Sequence, residues 1–227
     1  DTDRSRGLGD VYKRQVNKDG IARVSSKVLA GEVVTMSVDW EHIPAKHRSL
    51  IKAFFDEADM SADAIKTVDF PPAYGADIVV SCEKAKDPKN GSIYLKPTQF
   101  VLGIGCRRDT AFENIDRAIR QSLLKLQIDI SDIDMIASID VKKDEPGIKE
   151  FCERNRIEFV TYTADELMAV QGEFSASQFV REHVGVDNVC ERAAVLACSR
   201  ECNEAGELIY KKHKYDRVTV AAARYPD

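Results

Sequence analysis

The sequence predicts an α/β protein in which a three-layer α/β/α carboxy-terminal domain with a mixed sheet follows a smaller α/β region. Two observations support this fold class. From Phe100 onward, short apolar runs typical of buried strands alternate with helical patterns, as in proteins built from βαβ units. The composition is 44% hydrophobic and 31% charged, which is ordinary for a globular protein with a substantial core.

Three segments are distinguished along the 227 residues. Residues 1–15 are polar without an apolar period, and LGDVYKRQ looks like a translated adapter, so we expect a non-native tail and a natural chain that begins upstream. Residues 16–97 form a middle α/β region with predicted helices over 21–30 and 45–58. Its predicted strands cover 33–38, 78–81 and 92–95.

Residues 98–227 form the carboxy-terminal domain. The apolar run FVLGIG predicts a first strand, and Thr110-x-x-Glu113 has the form of a capping box before a helix over 111–126. Pro146 suits the first turn of the next helix. The remaining predicted strands cover 135–139, 157–162, 207–210 and 217–223, and the remaining helices cover 146–155, 164–170, 177–184 and 189–202.

Composition and charge exclude several classes of protein. The formal charge of −5 argues against a dedicated nucleic-acid-binding protein, because such proteins carry an excess of basic side chains. No apolar run approaches the roughly 20 residues that span a bilayer. The six cysteines form no CxxC pair and the four histidines have no ligand spacing, so we expect free thiols in the cytoplasm and no protein metal site.

The segment GIGCRRDT, between the first strand of the second region and its helix, is the first candidate site. Gly103 and Gly105 would let the backbone approach a ligand, and Arg107 and Arg108 could pair with carboxylate or phosphate. Cys106, near two guanidinium groups, could have a lowered pKa. The alternative is a tight strand-to-helix turn with arginines facing solvent.

The segment SIDVKKDEPG follows the next predicted strand and should border the same edge of the sheet. It begins at Ser138 and sets Lys142 beside Asp144 and Glu145, which suits acid–base chemistry or the binding of an acidic ligand. The alternative is a solvated loop whose carboxylates favour a helix amino terminus, and this is the better interpretation for Asp144.

Two further residues are candidates for the same edge. Glu191, at the start of a predicted helix, could point at the edge or only interact with the helix dipole. Lys214 ends the basic stretch YKKHK, which is expected to be an exposed hairpin but could attract acidic substrates.

These motifs together resemble a known family. In order and spacing, GIGCRRDT, ASIDVKKDEPG, FSASQFVREHVGV, VCERAAVLA and KHKYDRVTVAAA resemble the carboxy-terminal, CobE-like domain of CbiG, the cobalt-precorrin-5A hydrolase of anaerobic cobalamin biosynthesis. The resemblance covers roughly residues 100–223. Residues 16–97 resemble the more variable middle region of that family, whose amino-terminal domain is absent from the sequence.

The resemblance implies that the δ-lactone of cobalt-precorrin-5A is hydrolysed and acetaldehyde released, giving cobalt-precorrin-5B. The cobalt then belongs to an anionic corrinoid substrate, and no cofactor is expected. Glu145 is the predicted base and Lys142 the predicted charge stabiliser, with Arg107 and Arg108 gripping carboxylates. The other expected substrate contacts are Gly103, Gly105, Cys106, Ser138, Glu191 and Lys214.

Alternatives to this function remain open. The first is a non-catalytic carrier or binder of corrinoid intermediates, as CobE-like proteins could be. A nucleotide-binding domain is disfavoured because the phosphate-binding fingerprints are missing. A homodimer and contacts with other enzymes of the pathway are compatible with the sequence.

Overall fold

Strands and helices alternate in both parts of the chain, as the sequence predicts. The computed structural model describes residues 18–44, 47–48, 51, 65–72, 75–82, 92–176, 182, 185–202 and 204–226. Two compact units adjoin in the sequence at Pro97 and Thr98. Within the described residues, no helix is long and apolar enough to cross a membrane.

The first unit contains a sheet of four parallel strands in the order β2-β1-β3-β4. Its elements are helix α1 (Lys18–Leu29) and strands β1 (Val34–Val38), β2 (Ile65–Val68), β3 (Ile78–Val80) and β4 (Ile93–Leu95). Strand β2 was not predicted, because IKTV is short and only partly buried at the sheet edge. The helix predicted over 45–58 lies largely outside the described residues.

A buried aspartate fastens the helix of the first unit to its sheet. Asp77, just before β3, accepts hydrogen bonds from Lys27 Nζ at 2.9 Å and from the backbone N–H of Thr35 at 2.9 Å. Arg23 also donates to it, at 3.2 Å. Burial alone would raise the pKa of Asp77, but the bonds from Lys27 and Thr35 outweigh it and lower the pKa.

The second unit is built on a five-stranded mixed sheet in the order β7-β6-β5-β9-β8. Strands β5, β6 and β7 are parallel, whereas β9 runs antiparallel to both β5 and β8. The strands are β5 (Phe100–Cys106), β6 (Ile133–Ile139), β7 (Glu158–Tyr162), β8 (Glu207–Lys214) and β9 (Val218–Arg224). The helices are α2 (Phe112–Leu126), α3 (Pro146–Asn155), α4 (Ala164–Ala169) and α5 (Val189–Cys202).

Helices cover both faces of this sheet, because side chains along a strand point alternately to opposite faces. Leu102 and Ile104 of β5 join one apolar cluster, which contains residues of α2 and α3. Val101 joins the other, which contains residues of α4 and α5. The predicted three-layer arrangement with a mixed sheet is confirmed.

Local details differ from the sequence-based expectations in two places. Helix α2 is capped at Ala111 without a side-chain bond, so the predicted capping box at Thr110 is wrong. The hydroxyl of Thr110 instead donates to the carbonyl of Arg107 at 2.6 Å. The basic stretch is not a hairpin loop, because pairing with β9 extends β8 through Lys214. The helix predicted over 177–184 lies mostly outside the described residues.

Candidate functional site

A buried ion pair joins the loops that follow β5 and β6. Glu145 Oε2 accepts a hydrogen bond from Lys142 Nζ at 2.8 Å, and their side chains are only 5% and 14% exposed. Glu145 Oε1 accepts from the backbone N–H of Thr110 at 2.9 Å, across to the β5 loop. The structure therefore brings together the two segments that the sequence assigned to one edge of the sheet.

Gly147, in the first turn of α3, shows how closely the loop after β5 approaches this helix. A Cβ added to Gly147 would lie 2.3 Å from the carbonyl oxygen of Thr110, which no side chain tolerates. Only glycine in the first turn of α3 thus lets the β5 loop rest on that helix. The sequence placed Gly147 within SIDVKKDEPG but gave no signal for this contact.

The thiol of Cys106 lies in the same cluster and is not activated. Burial raises its pKa to about 11, although the nearby charge of Lys142 acts in the opposite direction. The carboxylate of Glu145 adds to the rise. The expected lowering of the Cys106 pKa is therefore wrong, because loss of hydration outweighs the neighbouring cations. At neutral pH this residue is a thiol.

The two arginines of the β5 loop are exposed, and a third arginine braces their backbone. The N–H of Arg107 donates to the carbonyl of Arg217 at 2.9 Å, and Arg217 Nη2 donates to the carbonyl of Arg108 at 3.0 Å. Arg217 adopts a positive φ of 60° in the turn between β8 and β9. Sequence reasoning missed it, because only the antiparallel placement of β9 beside β5 brings that turn to this loop.

Three predicted substrate contacts lie beneath the edge of the sheet. A Cβ on Gly103 would lie 1.7 Å from the Cys190 carbonyl oxygen, so this glycine admits α5 onto the sheet. Ser138 is fully buried and donates to the carbonyl of Ile104 at 2.7 Å. Gly105 is partly buried and contacts Thr219. Gly103 and Ser138 thus have no open surface toward a ligand.

Glu191 is buried, and its carboxylate accepts hydrogen bonds from two other segments of the second unit. Its carboxylate accepts bonds from the backbone N–H of Ser175 at 2.7 Å, from the Ser175 hydroxyl at 2.8 Å and from the N–H of Lys212 at 2.6 Å. The side chain is completely inaccessible to solvent. It links α5 to strand β8 and to the segment around Ser175.

Lys214, by contrast, is exposed at the same edge as the arginines. The register places it opposite Thr219, which in turn lies opposite Gly105. Two strand spacings put its backbone about 10 Å from that of Gly105. Helices α2 and α3 begin where β5 and β6 end, and positive helix amino termini therefore add to the basic side chains there.

The resulting edge can bind an anion and hold an ionised carboxylate next to an ammonium group. Its exposed cations come from three separate segments, the β5 loop, the end of β8 and the turn before β9. Among the described residues, no group of three or more His, Cys, Asp or Glu side chains could hold a metal ion.

A family model covers nearly all of the second unit. Residues 100–223 match the family model described as cobalamin synthesis G C-terminus. The cobalt-precorrin-5A hydrolase of Salmonella typhimurium is 38% identical over 102 residues, which are 45% of this chain and 29% of the relative. The one from Priestia megaterium is 31% identical over 138 residues, 61% of this chain and 35% of the relative. The chain thus spans about a third of the length of these relatives.

A solved structure matches more than half of the chain. CobE, a protein from the cobalamin (vitamin B12) biosynthetic pathway, superimposes with a TM-score of 0.52 at 26% sequence identity. The superposition covers 55% of this chain but 89% of CobE. A fold of this kind therefore exists in that pathway as nearly an entire protein.

Proposed function

Because the chain belongs to the CbiG family of cobalamin-synthesis proteins, we propose that the exposed cationic edge of its second unit binds cobalt-precorrin-5A. The reaction proposed there is hydrolysis of the δ-lactone with release of acetaldehyde. The observation that supports this most is the convergence of Arg107, Arg108 and Lys214 on the edge that holds the Lys142–Glu145 pair. A corrinoid intermediate carries several carboxylates, and such an edge is complementary to them.

The proposed reaction consumes one water molecule. The oxygen of water adds to the lactone carbonyl carbon, and the bond from that carbon to the ring oxygen breaks, which leaves a carboxylate and an alcohol. The two-carbon bridge then leaves as acetaldehyde. Its alcohol oxygen becomes the aldehyde carbonyl as the hydroxyl proton is released, and the two bonds that join the bridge carbon to the ring break. One bonding pair stays on the ring and the other binds a proton at the bridge carbon, which gives cobalt-precorrin-5B. Negative charge develops on the carbonyl oxygen during the first step, and a nearby cation stabilises it.

Two residues have roles in this proposal. Lys142 stabilises the developing oxyanion, and Glu145 accepts the proton from the attacking water. Both Glu145 oxygens already accept one hydrogen bond each, but a carboxylate oxygen has a further lone pair for a water molecule. Arg107 and Arg108 bind peripheral carboxylates and orient the ring.

A non-catalytic corrinoid binder is the second candidate function. The similarity to CobE favours it, because the matched region makes up most of that protein. In this alternative the cationic edge holds a corrinoid intermediate and passes it on, and the Lys142–Glu145 pair serves only to shape the two loops.

Substrate titration with aldehyde detection separates the two functions. The chain is titrated with cobalt-precorrin-5A and followed by its absorption spectrum, while acetaldehyde is trapped by reduction with an NADH-dependent alcohol dehydrogenase. The hydrolase of Salmonella typhimurium serves as the positive control. Saturable binding with acetaldehyde release supports the hydrolase, and binding without release supports the carrier. Absence of binding contradicts both.

Paired variants locate the binding surface. Arg107→Ala combined with Arg108→Ala should weaken binding about tenfold or more, since each arginine can make a charge-assisted bond to a carboxylate. Arg154→Ala, a change of an exposed arginine on α3, is the matched control and should leave the affinity unchanged. Equal effects of the two changes would contradict the assignment of the edge.

A further inference from the structure

The two exposed arginines of the β5 loop are oriented only through their backbone. Within the part of the chain that the structure describes, neither Arg107 nor Arg108 makes a side-chain hydrogen bond or ion pair. The direction in which each guanidinium group points therefore depends on how the loop backbone is held. A binding site on this loop is only as well ordered as that backbone.

Hydrogen bonds hold this backbone to other segments at three points, and Arg217 provides two of them. The N–H of Arg107 donates to the backbone carbonyl of Arg217 at 2.9 Å. Nη2 of Arg217 donates to the carbonyl of Arg108 at 3.0 Å. The third bond runs from the N–H of Thr110 to the carboxylate of Glu145 at 2.9 Å. The middle of the loop thus depends on the side chain of one residue.

The turn that carries Arg217 is itself anchored to the rest of the second unit. Across the turn, the N–H of Tyr215 donates to the carbonyl of Val218 at 2.7 Å. The hydroxyl of Tyr215 lies 2.9 Å from that of Ser122 on α2 and 3.1 Å from that of Tyr210 on β8. The guanidinium group of Arg217 therefore extends from a turn whose position is fixed against a helix and a strand.

The backbone conformation of Arg217 is unusual for an arginine. Its φ of 60° lies in the left-handed region, which glycine and asparagine adopt with less strain than other residues. The turn alone therefore does not require an arginine at this position. The contact with the carbonyl of Arg108 does require a long side chain with a donor at its end.

We propose that Arg217 is a positioning residue for substrate binding, which holds the carbonyl of Arg108 and so orients the guanidinium groups of Arg107 and Arg108. This inference rests on the proposed function, because the ligand is the corrinoid with several carboxylates that binds the cationic edge. A loop that is ordered beforehand loses less conformational entropy when the ligand binds. Arg217 thus raises the affinity by acting through the other two arginines.

Backbone ¹⁵N relaxation of the full chain without ligand tests whether Arg217 orders the loop. The variant is Arg217→Asn, because asparagine suits the positive φ but lacks the long side chain. The amides of Arg108 and Asp109 should become more mobile. The amide of Arg107 should stay ordered, because it donates to a backbone carbonyl that the variant keeps. The midpoint of thermal unfolding should not fall.

Binding is tested with uroporphyrin, a tetrapyrrole with many carboxylates, at a physiological salt concentration that screens long-range attraction. Arg217→Asn should weaken the affinity about threefold to tenfold, as for loss of one hydrogen bond. In the Arg107→Ala, Arg108→Ala background the same change should alter the affinity less than about twofold, because no arginines remain to be oriented. Arg224→Ala, at the other end of β9 opposite Phe100, is the matched control and should leave the affinity unchanged.

The outcomes distinguish this inference from the proposed function. An equal loss of affinity in both backgrounds would show that Arg217 contacts the ligand directly and would overturn the positioning role. Unchanged loop mobility in Arg217→Asn, or an unchanged affinity where the Arg107→Ala, Arg108→Ala variant binds more weakly, would overturn it while the proposed edge stands. Uroporphyrin binding that does not depend on Arg107 and Arg108, or no binding at all, would contradict the edge and the role of Arg217 in affinity together.

Discussion

Glu145 Oε1 lies 2.9 Å from the backbone nitrogen of Thr110, although the two residues are 35 positions apart in sequence. This bond joins the loop after β6 to the loop after β5, and the other carboxylate oxygen holds Lys142. The geometry of the cationic edge therefore depends on one buried carboxylate. A change at Glu145 affects loop position as well as any proton transfer.

The first prediction concerns the coupling between Glu145 and Lys142. Glu145→Gln keeps an acceptor for the Thr110 N–H but leaves a largely buried ammonium without its counter-charge, and should lower the free energy of unfolding by about 2–3 kcal/mol. Lys142→Met should lower the free energy of unfolding less when it is added to Glu145→Gln than when it is made in the unaltered chain, because the ion pair is then already lost. Urea unfolding followed by far-UV circular dichroism measures both.

The neighbouring Asp144→Asn is the control for that experiment. Its side chain is 76% exposed and lies 3.7 Å from Lys149, so the change should alter stability by no more than about 0.5 kcal/mol. Strictly additive effects of the Glu145 and Lys142 changes would contradict the ion pair.

A second prediction concerns the reactivity of Cys106. Because its pKa is raised to about 11, alkylation by iodoacetamide should be slow at neutral pH and accelerate about tenfold per pH unit above it. Lys142→Met should slow it further, since this charge favours the thiolate. Mass spectrometry of peptides after timed quenching measures the rate.

Cys190 provides the comparison for Cys106. It is buried and its pKa is raised to about 12, chiefly by burial, so it should be the less reactive of the two in the folded protein. In urea both thiols should react at similar rates. Fast alkylation of Cys106 at neutral pH would show that the thiolate is stabilised and the raised pKa is incorrect.

Acid should weaken the first unit through Asp77. A lowered pKa in the folded state means that the carboxylate stabilises the fold above its ordinary value of 3.8, and that this contribution is lost as pH falls through the lowered value. Asp77→Asn should lower the free energy of unfolding by about 2 kcal/mol at neutral pH. The difference from the unaltered chain should shrink at acid pH, below 3.8.

The fluorescence of Trp40 reports this unfolding locally, because it is the single tryptophan of the chain and lies in the first unit. Asp144→Asn, in the second unit, is the matched control and should leave the Trp40 transition unchanged at either pH. A cost of Asp77→Asn that does not vary with pH would contradict the lowered pKa.

Glu191→Gln should destabilise the second unit although it conserves shape. The carboxylate accepts hydrogen bonds from two backbone N–H groups and one hydroxyl, whereas an amide group turns one of its ends into a donor. A buried N–H then faces another N–H, at a cost of about 1–3 kcal/mol in urea unfolding. Glu153→Gln, on the exposed surface of α3, should cost little.

Periodicity and helix-start signals predicted most of the second unit. Helix α3 begins at Pro146, and β5 coincides with the predicted apolar run, because these signals are local.

The capping-box pattern alone did not show whether the cap forms, because a residue distant in sequence can accept the hydrogen bond from the N–H of the first residue. At Thr163-x-x-Glu166 it forms, with Glu166 Oε2 accepting from the Thr163 N–H at 2.7 Å. At Thr110 the backbone N–H instead donates to the carboxylate of Glu145, which is distant in sequence.

Only those parts of the candidate site that directly follow predicted strands could be located from the sequence. Placing GIGCRRDT and SIDVKKDEPG on one edge needed only the rule that parallel strands share an end, and the structure brings Thr110 and Glu145 together there. The role of Arg217 depends on pairing between β5 and β9, which no local pattern encodes. The burial of Glu191 likewise depends on the packing of α5 against β8.

Strand β9 is the last strand of the second unit in sequence, yet it lies inside the sheet, between β5 and the edge strand β8. During synthesis, β5 therefore has an unsatisfied side until residues 218–224 have been translated. The brace that Arg217 provides for the arginine loop is then among the last contacts to form. We expect nascent chains stopped before Val218 to be recognised by chaperones and proteases as incomplete.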